Sequence, residues 1–388
     1  MSTPYFEKID KEINFSDVLS WPKSPDRTAH GSGREAYADE IIQEALSLTP
    51  PDSSMFSYEM SDILDKYKSF KLGNAILYEN DPIPELIKNL HYVNLYFEDE
   101  TFPPSQWKGG SKVSHKRIHD ICASPEVFIN GISFKDMCQR GLGNCGFVSS
   151  IGVISVHPQG HNLLFSSIYP CVFNPYGVYS VRIIDGNRIG YVLIDDLFPT
   201  VGFSSMLNSN EFWYLIIEKA ISKISGGYGK LGGGKEGYFG IESTANTSIS
   251  DANKDDVWKS KFINIFQHEQ HATYQGTGSK NKYITKGHAF AVIDAQEWNG
   301  IRLVRLHNPW NNSNPGYQGP YSPGSKEWDN IPKDIQESVF QVNRWDGYTF
   351  WMPYDLYVSE LPKISDTHLS AKIPETLKEI ANTSIIQG

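Results

Sequence analysis

The sequence predicts an α+β fold in two unlike lobes. Three observations carry that reading. The chain up to 226 is the richer in helical patterns, with 210–226 the clearest, and from 287 onward the apolar residues fall into short strand-like runs. Between the two lies 226–250, GGYGKLGGGKEGYFGIESTANTSIS, which is Gly-rich and then Ser/Thr-rich, as a domain boundary is. At 388 residues the chain has room for two such units.

In chain order, REAYADEIIQEALSL places Ala38, Ile41, Ile42, Ala45 and Leu46 on one helical face, and Pro50 and Pro51 stop it. Residues 52–94 offer one or two further short helices, and FPPSQW at 102–107 reads as an extended connector. VYSVRII and RIGYVLI around Asp185-Gly186-Asn187 read as a hairpin of alternating strands. NEFWYLIIEKAISKISG, 210–226, reads as a helix with Asn210 as N-cap and Glu211 in its first turn. Strand-like runs follow at 287–294, 301–307, 338–343 and 348–352, and the last 30 residues read as a tail.

Composition excludes several function classes. Lys plus Arg is 35 and Asp plus Glu is 45, a net charge of −10, which argues against sequence-independent nucleic-acid binding and against a polybasic membrane surface. No apolar run approaches the roughly 20 residues of a membrane span, and MSTPYFEKIDKEINF has no apolar signal-peptide region. Four cysteines are too few for a disulfide scaffold, so a reduced, cytoplasmic compartment is expected. His268-Glu269-Gln270-His271 lacks the spacing of a zinc motif, and Gly232-Gly233-Gly234-Lys235 lacks that of a phosphate loop, so no organic cofactor is expected.

Two constellations carry candidate chemistry. Cys138-Gln139-Arg140-Gly141-Leu142-Gly143-Asn144-Cys145-Gly146 is a glycine-rich turn leading into a helix whose Phe147, Ile151 and Ile154 share a face. Cys145 thus opens a helix, where the positive dipole end favours an anionic sulfur by ~0.3–2 kcal/mol. Cys122, Cys138 and Cys171 have no such setting and are expected to be structural. The second constellation is a hairpin about Asn299-Gly300. His288 lies on one arm and Asn308 on the other, near its open end, where an amide oxygen can fix the tautomer of an imidazole. A Cys at a helix start with a downstream His and Asn is the grouping of papain-like proteases.

The chain resembles the calpain-like cysteine proteases. The matching segments are Asp136-Met137-Cys138-Gln139-Arg140-Gly141-Leu142-Gly143-Asn144-Cys145, Gly287-His288-Ala289 and Leu306-His307-Asn308-Pro309-Trp310. NEFWYLIIEKAISKISGGYGKLGGG, Asp195-Asp196-Leu197-Phe198-Pro199 and Asp346-Gly347-Tyr348-Thr349-Phe350-Trp351-Met352 also match, in the family's order. The resemblance implies a papain/calpain-like core with a helical lobe over 95–240 carrying Cys145 and an antiparallel β lobe over 241–358 carrying His288 and Asn308. An N-terminal extension, 1–94, would precede it and a tail, 359–388, would follow. It implies an endopeptidase acting on an extended polypeptide, with Gln139 and the Cys145 N–H as oxyanion donors. It also implies calcium, with Asp136, Glu211 and the carbonyls of Ile129 and Gly131 as ligands in the first lobe. In the second lobe Asp346 is retained, but Tyr348 replaces an acid and 311–325 lacks carboxylates, so at most one calcium is expected.

The chain departs from the family pattern at Gly146, where a tryptophan usually follows the cysteine, at Asn144 in place of an aspartate, and at Tyr317 in place of a cleft tryptophan. Gly146 and the altered 311–325 loop motivate a rival reading, a protease-fold protein that binds polypeptide without cutting it. A transglutaminase-like acyltransferase is disfavoured by Asn308, because Asp commonly orients the histidine there.

Overall fold

The structure, a computed structural model, describes residues 57, 59–93, 95–107, 113–129, 131–206, 210–263, 273–275, 283–285, 287–310, 317–342 and 348–382. The helix expected at 34–46 and the His268–His271 cluster lie outside them.

The N-terminal half is a five-stranded antiparallel sheet with helices against it. β1 (Ser69–Leu72) and β2 (Ala75–Tyr78) form a hairpin about Gly73, whose φ of 57° suits a residue without Cβ. Helix α1 (Ile83–Val93) follows, its buried Ile83, Leu86, Ile87 and Leu90 one turn apart. Further on come β3 (His115–Arg117), β4 (Met137–Cys138), α2 (Cys145–Val156), α3 (Pro158–Phe165), β5 (Ile168–Tyr169), β6 (Val178–Asp185) and β7 (Arg188–Asp195). The sheet order is β1-β2-β7-β6-β5. β8 (Leu197–Pro199) pairs with β3, and β9 (Ser205–Met206) with β4. Helix α4 (Trp213–Ser225) closes this half and ends at Gly226, left-handed at φ 84°.

The C-terminal half is a second antiparallel sheet. Its strands are β10 (Ile241–Ser243), β11 (Thr247–Ser248), β12 (Thr273–Gln275), β13 (Phe290–Trp298), β14 (Ile301–His307), β15 (Thr349–Pro353) and β16 (Lys363–Leu369), with α5 (Tyr354–Glu360) before β16. The order is β10-β16-β12-β13-β14-β15, with β11 also on β16. Helix α6 (Glu375–Ala381) returns to the first half, where Asn162 of α3 donates to the Ala381 carbonyl at 3.0 Å.

The 178–194 hairpin forms, but its strands do not alternate. Val178–Ile184 is buried at every position because the sheet is covered on both faces, so apolar residues are required at both parities. The same holds for α2, where every residue from Phe147 to Val156 is buried rather than one face. A Cβ added at Gly152 would lie 3.5 Å from the Phe134 Cβ and 3.8 Å from the Ala291 Cβ, so this helix is wedged between its own half and β13.

Other expectations are corrected. FPPSQW is not a bare connector: Pro104–Trp107 is a helical turn, with Phe102 and Trp107 buried against Tyr228. Helix α4 begins at Trp213, with Phe212 at the N-cap; Asn210 does not cap it, and Glu211 instead pairs with Glu126 in a short bridge. No strand forms over 338–342. Lys333–Ser338 is helical, Val339 N–H still donates to Ile335 O, and Gln341 takes φ 50°, which strand backbone does not. The 1–94 extension is not separate over 69–93, since β2 pairs with β7 through Tyr78 and Tyr191. Nor is 359–382 a tail. β16 lies inside the second sheet, bonded to β10 and β11 along one edge and to β12 along the other.

A chain ending at Pro362 therefore loses an interior strand. Its thermal unfolding, followed by circular dichroism, is expected to lose the cooperative transition of the full chain. A sharp melt at an unchanged temperature would contradict this placement of β16.

Candidate active site

The second hairpin delivers its two polar residues to one place. β13 and β14 are joined by Asn299-Gly300, with φ of 48° and 78°, the paired positive values of a tight two-residue turn. From Trp298↔Ile301 the register runs unbroken to Asp294↔Arg305, then slips by one residue at a bulge, so that Val292 faces Leu306 and Ala291 faces His307. That slip shifts the open end of the hairpin, where His288 Nε2 and Asn308 Oδ1 lie 2.9 Å apart. Asn308 Oδ1 also accepts the Trp310 N–H at 3.1 Å, and the Asn308 N–H donates to Tyr348 O at 3.0 Å, so the amide is held from two sides. With its oxygen bonded to backbone N–H, Asn308 accepts from Nε2–H, leaving Nδ1 as the ring's other nitrogen.

The His288 ring is sandwiched. Trp310 stacks on it at 4.1 Å between centroids and 29° between planes, and Phe290 meets it edge-on at 4.9 Å. Only 3% of the residue is exposed. Burial lowers the imidazole's pKa, and the Asn308 bond opposes that by favouring the protonated ring.

Cys145 is the first residue of α2, half-buried, and carries a free thiol. Asn144 stands at the N-cap, its carbonyl accepting the Val148 N–H at 3.0 Å. Among the described residues no hydrogen bond joins Cys145 to His288. The segment just before Cys145 does reach the histidine's surroundings. Gln139 N–H donates to Pro309 O at 2.8 Å, and Cys138 Sγ donates to Trp310 O at 3.1 Å. Cys138, expected to be structural only, thus holds the residue that stacks on His288. The Gln139 side chain is buried; Nε2 donates to Leu142 O at 2.5 Å, and Oε1 is buried without a partner.

With this geometry in hand, the relatives can be placed. The family model for calpain family cysteine proteases matches residues 97–365, well over half of the chain. This chain belongs to the calpain family of cysteine proteases. The calpain-1 catalytic subunit of Rattus norvegicus is 25% identical over 363 residues, covering 81% of this chain and 48% of the relative. Calpain-5 of Rattus norvegicus is 28% identical over 305 residues, covering 67% and 47%. The calpain-type cysteine protease ADL1 of Oryza sativa subsp. japonica is 26% identical over 297 residues, covering 66% and 13%. The chain spans about half, or much less, of the length of these relatives.

In this calpain-family chain the position after the cysteine has a packing reason. A Cβ on Gly146 would lie 3.1 Å from the Gly233 nitrogen, so the backbone of the 232–234 loop occupies the space a larger residue needs. Tyr317 is buried and stacks on Phe350 at 4.7 Å and 13°, serving the core of the second sheet. Asp346 lies outside the described residues. No helix among the described residues is long and apolar enough to cross a membrane.

Asp136 and Glu211 lie close enough to feel each other's charge. Asp136 Oδ2 accepts the Ser133 N–H at 2.7 Å and the Trp213 indole N–H at 3.3 Å, and Glu211 Oε1 accepts the Ile129 N–H at 2.7 Å. Burial raises both carboxyls' pKa, and their mutual repulsion, with Glu126 adding to it, pushes Glu211 further up. Ile129 is tied to Glu211 directly, and Gly131, at φ 89°, turns the loop two residues on. Among the described residues no cluster of three or more His, Cys, Asp or Glu side chains could hold a metal.

Asn308→Ala removes the hydrogen bond that favours the imidazolium. The His288 titration midpoint, read by NMR of the ring protons, is expected to start below that of a free histidine and to fall further in the variant. An upward shift would contradict the assigned role of Asn308.

Proposed function

We propose that the two halves are the helical and β lobes of a working cysteine endopeptidase, and that an extended polypeptide lies between them. Cys145 is the nucleophile, His288 the general acid and base, and Asn308 the residue that orients the ring. The observation that carries this is the His288–Asn308 contact at 2.9 Å, which turns Nδ1 away from the amide and toward use. The sulfur attacks the scissile carbonyl carbon, and the oxyanion is met by the Cys145 N–H and by the amide hydrogen of Gln139 not spent on Leu142. His288 gives its proton to the leaving amine, then takes one from water as the acyl-enzyme is hydrolysed. Polypeptide is the substrate class, and a reducing cytoplasm suits a thiol nucleophile among four free cysteines.

We further infer one calcium ion in the first lobe. Asp136 and Glu211, with the Ile129 and Gly131 carbonyls, are hard oxygen donors; burial raises both carboxyls' pKa and the Asp136 charge raises that of Glu211 further, a setting a cation would relieve. The ion would supply only charge neutralisation and would order the segment that leads to Gln139.

Two measurements test these readings. Hydrolysis of an unfolded protein pool by the wild type is expected to vanish in Cys145→Ala, and equal rates would sink the assignment. In the rival reading Cys145 is inert and both proteins leave the pool uncut. For the ion, protonated carboxyls must lose their protons on binding, so calcium affinity should rise as pH rises through the carboxyls' raised range. Calcium is expected to raise the melting temperature of the wild type and not that of Asp136→Asn. A shift that is equal in both, or that shrinks toward higher pH, would remove this site.

A further inference from the structure

Asn144 is an N-cap whose side chain does not cap. Asparagine at this position ordinarily accepts a hydrogen bond from an N–H of the first turn, worth about 1 kcal/mol. Here no such bond forms. The side chain instead turns inward. Nδ2 donates to Glu218 Oε1 of α4 at 2.8 Å and to Ser204 Oγ at 3.3 Å, while Oδ1 is buried without a partner. Glu218 is 1% exposed, and three donors converge on its carboxyl: Asn144, the Tyr214 hydroxyl at 3.0 Å and Ser204. A buried acid solvated by three side chains and anchored in the long helix of the same half is a rigid point against which the cap residue is set.

The consequence falls on Cys145. A capping Oδ1 would occupy the first-turn N–H groups beside the sulfur. Drawn down to Glu218, the Asn144 side chain leaves those donors, and the positive end of α2, for an anion at Cys145. We propose that Glu218 and Asn144 are positioning residues which keep the N-terminus of α2 uncapped and fix Cys145 for its anionic states. The proposal rests on the reading of Cys145 as nucleophile. In this chain an aspartate at 144 would set a second carboxyl where Asn144 now offers Glu218 a donor.

Burial raises the Glu218 pKa to about 7, against its three hydrogen bonds. The groups facing it are Asn144 from the cap of α2, Ser204 from the 203–206 segment, Tyr214 from α4 itself and Tyr228 beyond α4. An aspartate at 144 would therefore be tolerated best at low pH, where the pair shares a proton, and would be driven to cap the helix as pH rises.

The test uses Asn144→Asp, Glu218→Gln and the reversed pair carrying both changes, in the full chain. Two rates are measured against pH: Cys145-dependent peptide hydrolysis, and alkylation of Cys145 by iodoacetamide, followed by peptide mapping. Asn144→Asp is expected to lower both by about 10–100-fold, the loss falling on kcat more than KM and deepening with pH. Glu218→Gln keeps one acceptor oxygen for Asn144 but sets an amide N–H against the other donors, and is expected to lower both rates by less than Asn144→Asp does. The reversed pair, with the Gln amide donating to the Asp carboxylate, recovers most of the loss. Should Asn144→Asp not fold, Asn144→Ser asks the same question, because its short hydroxyl caps the first turn, and it is expected to slow alkylation likewise. Unchanged rates in Asn144→Asp, or no recovery in a folded reversed pair, overturn the proposal. If Cys145→Ala hydrolyses as well as wild type, the protease reading falls, and the alkylation rates alone decide the role of the pair.

Discussion

The Gln139 N–H donating to Pro309 O is the contact on which the site depends. It joins residues far apart in sequence, one just before the nucleophile's helix and one just after the orienting amide. The Cys138–Trp310 bond sits beside it. Together they clamp the start of one functional segment to the end of the other. Trp310 converts that clamp into ring geometry, because its N–H bonds Asn308 and its indole stacks on His288. The backbone before the nucleophile's helix and the backbone beside the His288 ring are thereby bonded directly to one another.

Helix α2 explains why such a clamp can hold. A helix buried on every side cannot slide without opening cavities, since interiors are close-packed and even one methylene is felt. The close approach of Gly152 to Phe134 and Ala291 lets the backbone of α2 lie directly on β13. His157, extended before Pro158, stops the helix, and its Nδ1 accepts the Gly160 N–H to start α3. The Cys145 end is thus fixed by packing along its length and by Asn144 at its cap, while the thiol itself is only half-buried.

Much of this was legible in the sequence where the signal is local. The Asn299-Gly300 turn, the helix from Cys145 and the 178–194 hairpin follow from turn chemistry and apolar runs. The β13 bulge was not legible, because nothing in GHAFAVIDAQEWNG marks where one residue drops out of the ladder, and it is the bulge that sets the register on the His288 arm. The strand at 363–369 was missed for a related reason. KISDTHL is polar at five of its seven positions, four of them in a row, yet Ser365 and Asp366 are buried because their partners lie in β12 and in the Thr244 turn, far off in sequence. The β1–β2 hairpin had a readable signal in Gly73-Asn74 between apolar runs. The roles of Cys138 and Glu218 had none, since a buried thiol and a helical glutamate gain meaning only from what the fold brings beside them.

The acid pair and the site are one short walk apart. Ser133 caps a turn of helix, Phe134–Asp136, in which the Asp136 carboxylate reaches back to the Ser133 N–H. Strand β4 follows at once, and Gln139 follows that. Asp136 is thereby three residues from the oxyanion candidate and two from the sulfur that holds Trp310. The capping bonds spend one of its oxygens on keeping the turn wound, whether or not a cation engages the other. Neutralising the repulsion between Asp136 and Glu211 would therefore act on a segment already tightly wound. Its effect would pass along two strand residues to the clamp rather than through the helix core, because α2 begins beyond the glycine-rich turn and is held by separate contacts.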